Sequence, residues 1–149
     1  MLTIRQYQSS DQEVVWNLHN PALAQIGAHR GLGPWDDDLQ NIEIVYLRNR
    51  GDFLVGEYEG QVVAMGALMK VSTAMAEIKR MRVHPSFQGR HFGTALLEAL
   101  EYRAKALGYK VLRLDTTIKQ NAAQILYKNH GFEETTRKSD TIFMQKGIS

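Results

Sequence analysis

Met81-Arg82-Val83-His84-Pro85-Ser86-Phe87-Gln88-Gly89-Arg90-His91-Phe92-Gly93-Thr94 is the stretch on which the fold turns. Its first residues continue a strand-like run from Met75. His84-Pro85 ends that run, because the residue before a proline avoids the helical region and proline brings no donor to a sheet. Beyond Gln88-Gly89 comes the clearest helix in the chain. Leu96, Leu97, Leu100, Ala104 and Leu107 share one face, Glu101 is spaced to pair with Lys105, and Gly108 is the stop. A strand that passes through a glycine turn into a long helix leaves the first helical amides without partners inside the helix. Those amides and the helix dipole favour an anion such as phosphate, Gly89 admits close backbone approach, and Arg90 adds a fixed positive charge. An ordinary strand-to-helix turn is the alternative, since short glycine motifs recur by chance.

Upstream, three strand-like runs over Phe53 to Tyr58, Gln61 to Val71 and Met75 to His84 are divided by Glu59-Gly60 and Ser72-Thr73, which predicts an antiparallel meander. Before it, Leu2 to Tyr7 reads as a first strand. Ser10 and Glu13 have capping-box spacing for a helix that buries Val14, Val15 and Leu18, with Pro21 near its end or at a kink. Gly27 to Trp35 reads as a loop. Asp36, Asp37 and Asp38 crowd the start of a second helix with Leu39, Ile42 and Tyr46 as its apolar stripe. The acids suit a helix N-terminus, and their attraction for a cationic amine is the other reading. Downstream, Lys110 to Thr117 reads as a strand, Gln120 to His130 as a short helix closed by Gly131, and Phe132 to Thr136 and Thr141 to Gln145 as two more strands. The strand, helix, strand unit in the middle implies a parallel pair joined by a right-handed crossover inside an otherwise antiparallel sheet. The expected fold class is therefore mixed α/β, in a single domain over 1–149.

Composition excludes several function classes. The 149 residues hold 44% hydrophobic and 23% charged residues, ordinary for a globular protein, and no cysteine. Disulfides, thiolate metal sites and an acyl-cysteine intermediate are thereby removed. A formal charge of +2 with scattered Lys and Arg lacks a nucleic-acid footprint. No apolar run spans a bilayer, and Met1 to Tyr7 does not read as a secretion signal, so a cytoplasmic location without membrane insertion is expected. His19, His29, His84 and His130 show no metal-ligand spacing, and no metal is expected. Gly31-Leu32-Gly33 lacks the third glycine and preceding strand of a dinucleotide fingerprint.

Met-Arg-Val-His-Pro, then Gln-Gly-Arg, then Gly-Thr-Ala-Leu-Leu resembles the coenzyme A motif of the GNAT N-acetyltransferases, which runs Gln or Arg, two residues, Gly, one residue, then Gly or Ala. A second segment, with Ala123, Leu126-Tyr127 and Gly131-Phe132, resembles the family's Asn, Ala, Leu-Tyr and Gly-Phe pattern. The resemblance covers nearly the whole chain, from Leu2 to Gln145. It implies a mostly antiparallel sheet with a central parallel pair and helices on both faces, and acetyl-coenzyme A as cosubstrate. It further implies a V-shaped opening between the strand ending at His84 and that at Lys110 to Thr117, where the pantetheine arm pairs with Met81 and Val83. The pyrophosphate then rests on the amides of Gln88, Gly89, Arg90, His91, Phe92, Gly93 and Thr94. His91 stands where the family has its first glycine; histidine tolerates a positive φ there, and a phosphate contact is the other reading. The coenzyme-contacting Asn role falls to Gln120, with Asn121 one residue late.

Acetylation of an amine needs a base, an oxyanion partner and an acid. Glu77 is the candidate base, because strand alternation, short of any bulge, places Glu77, Lys79, Met81 and Val83 on one face. Some family members use a glutamate on this strand in that way; a surface carboxylate paired to Lys79 or Arg80 is the alternative. A backbone N–H near Met81 to Val83 is the oxyanion donor. Tyr127 is the candidate acid, as the family assigns to the tyrosine of its Leu-Tyr motif, against a plain core aromatic. The expected reaction is direct acetyl transfer in a ternary complex to a primary amine, on a small molecule or a protein. A non-catalytic acyl-coenzyme A module and an enzyme for a longer acyl chain are the alternatives. A homodimer is common among such proteins.

Overall fold

The computed structural model describes residues 1–25 and 38–148, without the side chains of 20–25. Apolar runs either side of Glu59-Gly60 form β2 (Asp52–Tyr58) and β3 (Gln61–Lys70). Both turn residues have positive φ, 52° and 81°, the backbone that matches the twist of a hairpin. β1 (Thr3–Gln6) adds antiparallel to β2, and β4 (Met75–Val83) antiparallel to β3. β5 (Val111–Thr117) lies parallel to β4. β7 (Thr141–Gly147) then runs antiparallel between β5 and the edge strand β6 (Glu133–Lys138). The result is a mixed, mostly antiparallel seven-stranded sheet, ordered β1-β2-β3-β4-β5-β7-β6. This is the expected class.

Helices cover both faces. The long helix α2 (Phe92–Ala106) and the short α3 (Asn121–Asn129) cover one. There Leu96, Leu97, Leu100 and Tyr127 join Leu54, Ala64, Leu68, Ile78, Leu112 and Leu114 in one buried cluster. The other face carries α1 (Gln12–Gln25) and the segment 38–47, whose Val15, Leu18, Leu39, Ile42 and Tyr46 bury against Phe53, Val55, Met65 and Ala67. Each of the fully buried leucines contributes roughly 1.5–3 kcal/mol of burial.

Local details differ from the sequence reading. The chain enters α1 through a 3-10 turn at Ser9–Asp11, and the Asp11 carboxylate accepts the Gln8 N–H at 2.8 Å, so the cap lies at Gln8 and Asp11 rather than Ser10 and Glu13. Arg5 explains the shift. Its guanidinium binds Asp11 at 2.7 and 2.9 Å and fixes that carboxylate at the turn. The second helix is a 3-10 turn followed by a π-helical turn at Glu43–Leu47, which still turns Leu39, Ile42 and Tyr46 to the core. The loop from Gly27 to Trp35, with His29, Asp36 and Asp37, lies outside the described residues.

Candidate active site

The parallel pairing of β4 with β5 covers only Met75–Val111, Ala76–Leu112 and Glu77–Arg113. Beyond that point, among the described residues, β4 pairs with β3 alone and β5 with β7 alone, so the two strands diverge and a wedge opens between them. His84 donates its N–H to Val63 O on β3 at 2.7 Å. Alternation then aims the peptide groups of Met81 and Val83 into the wedge. Side chains occupy the carbonyls there: Arg82 Nη1 donates to Met81 O at 2.8 Å and Gln88 Nε2 to Val83 O at 3.0 Å. Both carbonyls on this strand edge are thus met by side chains rather than by a neighbouring strand.

A β-bulge interrupts β4. Arg80 has φ 58°, and the register with β3 shifts between Met65 and Ala67. The extra residue splits the group expected on one face. Ile78, Met81 and Val83 pack toward α2, whereas Lys79 and Arg82 pair with Ala67 and Met65 of the opposite cluster, and Glu77 shares their side. Gly66 sits opposite the bulge because Met81 crosses over it; a Cβ there would meet Met81 Sδ at 2.7 Å and Leu100 Cδ1 at 2.9 Å.

At the head of the wedge, β4 stops in a 3-10 turn at Pro85–Phe87, where His84 Nδ1 accepts the Ser86 N–H at 3.1 Å. Gly89 follows with φ 82° and His91 with φ 64° and ψ 20°. The imidazole thus stands in a left-handed position that glycine would occupy without strain. His91 is the N-cap of α2: its carbonyl accepts the Ala95 N–H at 3.2 Å, and its side chain caps no amide. The amides of Phe92, Gly93 and Thr94 therefore lie ahead of the helix's own ladder. Arg90 is steered by an aromatic cluster that the sequence reading missed. Its guanidinium carbon lies 5.6 Å from the Tyr58 ring centre and 5.2 Å from that of Phe87, with Phe87 stacked on Phe92.

The remaining candidates flank the wedge. Glu77 marks its apex, where Oε1 accepts from Arg113 Nε at 2.9 Å across the last parallel pair. The partner is Arg113 rather than Lys79 or Arg80, and the parallel register is what brings the two together. Tyr127 of α3 is 6% exposed and packs edge-on against Phe132. Burial pushes its phenol up to about 12, with Asp115 adding to the rise and Arg82 opposing it. Gln120 is the N-cap residue of α3, and its Oε1 accepts from the Thr117 N–H and the hydroxyls of Thr116 and Thr117, each at 3.2 Å. That oxygen staples the turn from β5 into α3.

A wedge beside an uncapped helix start is the arrangement for which the family comparison is decisive. The acetyltransferase (GNAT) family model matches residues 13–132. This chain belongs to the GNAT acetyltransferase family. Within it, an IAA acetyltransferase of Azospirillum brasilense is 37% identical over 98 residues, which are 65% of this chain and 61% of that relative. The chain thus spans less than two thirds of that relative's length. A GNAT-family acetyltransferase from Staphylococcus aureus superposes with a TM-score of 0.92 at 23% identity, covering all of both chains. The yncA protein of Salmonella typhimurium, solved with its cofactor acetyl-CoA, gives a TM-score of 0.85 at 23% identity over 100% of this chain and 95% of that one. Among the described residues of this GNAT chain, no helix is long and apolar enough to cross a membrane.

Proposed function

We propose that this acetyltransferase moves the acetyl group of acetyl-coenzyme A directly to a primary amine in a ternary complex. One observation carries the reading: the β4–β5 pairing ends at Glu77–Arg113, and the wedge beyond it leads to the uncapped start of α2. The pyrophosphate fits the amides from Gln88 through Thr94, with Arg90 beside them as counter-charge. The pantetheine arm takes the edge of Met81 and Val83 in place of the Arg82 and Gln88 side chains. Its sulfur end is directed toward the apex.

The roles in this proposal follow from residue chemistry. Glu77 takes a proton from the amine, directly or through water, while Arg113 donates to its Oε1. The amine nitrogen attacks the thioester carbon, and a main-chain N–H of the Met81 to Val83 segment holds the oxyanion. The C–S bond breaks as the carbonyl reforms, and Tyr127 protonates the departing sulfur. The buried phenol carries the proton it would donate. The acceptor is an amine on a small molecule or a protein.

Turnover with an amine panel, followed by free thiol release, tests the roles. Tyr127→Phe and Glu77→Gln are each expected to lower kcat on the order of 100-fold while coenzyme A still raises the melting temperature. Unchanged turnover in both variants removes these assignments.

A further inference from the structure

The bulge that shapes the wedge is gripped from outside its sheet. Arg80 Nε donates to Asp38 Oδ2 at 2.9 Å and Nη2 to Asp38 Oδ1 at 2.5 Å. The two side chains are 12% and 14% exposed. The Tyr46 hydroxyl donates to the same Oδ2, and Tyr46 is wholly buried, edge-on to Phe53 at 5.6 Å. Burial works against the Asp38 charge, yet the hydrogen bonds from Arg80 and Tyr46 hold the carboxyl below its usual range. Lys79 adds to that pull.

We propose that Asp38, Arg80 and Tyr46 form a clamp that positions the bulged main chain for acyl transfer, with Arg80 a positioning residue. The inference rests on the function proposed above. Three observations converge on it. Arg80 holds φ 58° inside a strand, a conformation open to glycine at no steric cost and unfavourable for arginine. A long cation in that position is explained by what its head group grips. The two-point fork fixes the orientation of the guanidinium as well as its distance, which a single contact would not do. The gripped residue is also the one whose insertion flips the strand. Without it, Met81 and Val83 would change faces and their peptide groups would turn from the wedge to β3. Asp38 thus ties the segment that covers the α1 face to the strand edge that receives the thioester, 42 residues away.

The test compares Arg80→Gly, which relaxes the φ but removes the fork, with Arg80→Lys, which keeps the charge, and with Asp38→Asn and the double variant Asp38→Asn/Arg80→Gly. Steady-state kcat and KM, calorimetric binding of coenzyme A and melting temperature are read on each variant. The expected result is a fall in kcat of roughly 30- to 100-fold in all three single variants, with coenzyme A affinity within about threefold of wild type, and a double variant no slower than the worse single. Wild-type kcat in Arg80→Gly would overturn the clamp, since the bulge would then need only its backbone shape. So would a fall in kcat matched by equal losses of coenzyme A binding and melting temperature, which marks a merely structural role. A wild-type chain that neither binds coenzyme A nor releases thiol strikes the functional reading itself. Wild-type turnover with unaltered variants strikes only the clamp.

Discussion

The two ends of α2 carry opposite kinds of orphan backbone group, carbonyl acceptors at one and N–H donors at the other, and treat them in opposite ways. At the C-terminal end the protein satisfies the chain. Leu107, Gly108 and Tyr109 donate to the carbonyls of Arg103, Lys105 and Ala104, with Gly108 at φ 91°. Arg50 Nη2 caps Leu107 O at 2.9 Å, its guanidinium lies 4.2 Å from the Tyr109 ring centre, and the Tyr109 hydroxyl returns to Arg50 O at 2.7 Å. At the N-terminal end His91 caps nothing with its side chain and the first amides stay clear of the ladder. One helix dipole thus points its satisfied end into structure and its open end into a wedge. If the proposed function holds, the first end serves stability and the second binding, and substitutions should separate them.

Thr94→Pro should give the largest effect. Proline in a first turn removes an N–H the helix does not use, and Gly93 before it has no Cβ to clash with the ring. Loss of one hydrogen bond to an anion, about 1.5–3 kcal/mol, should weaken coenzyme A binding by roughly 10- to 150-fold, with the ligand-free melting temperature nearly unchanged. Calorimetry beside thermal melts checks both. Equal binding would show that this amide meets no anion.

Arg50→Ala is the mirror experiment at the closed end. Removing a charged cap and its stacking should destabilise the fold by about 1–2 kcal/mol. That lowers the melting temperature by several degrees without altering the affinity for coenzyme A. A change in that affinity would mean the two ends are coupled.

The smallest effect concerns acid. Burial opposes the Glu101 charge, but Lys146 at 2.6 Å and Lys105 at 3.4 Å outweigh it and hold the carboxyl below its ordinary value of 4.5. A depressed folded value contributes stability above the unfolded value, lost as pH falls through the folded one. Denaturation midpoints between pH 5 and pH 3 should therefore fall less steeply in Glu101→Gln, by about 0.5 kcal/mol after allowance for solvent screening. Identical slopes would place the acid sensitivity elsewhere.

Legibility in the sequence follows the range of the interactions. The turn from His84 to Thr94 was readable because proline, glycine and a helical stripe act within a few residues, and the left-handed His91 stood where the family's glycine announced it. The bulge left a signal that strict alternation overlooked: apolar residues at Ala76, Ile78, Met81 and Val83 step by two, then three, then two, and the long step is the inserted residue. Gly66 opposite was its second mark. The partners of Glu77 and Arg80 were hidden. Arg113 meets Glu77 only through the parallel register, and Asp38 meets Arg80 only after the 38–47 segment folds onto the sheet. Read locally, Asp38 is a helix acid; folded, it is one half of a partly buried ion pair.

In the proposed function, open main-chain donors at the start of α2 hold the diphosphate of the cosubstrate. A crystal structure grown with coenzyme A measures it most directly. Phosphate oxygens are expected within about 2.7–3.2 Å of amide nitrogens between Gly89 and Thr94, with the Arg82 and Gln88 side chains displaced from Met81 O and Val83 O. A coenzyme bound elsewhere, with those amides closed off by the protein and the wedge filled by its own side chains, would contradict it.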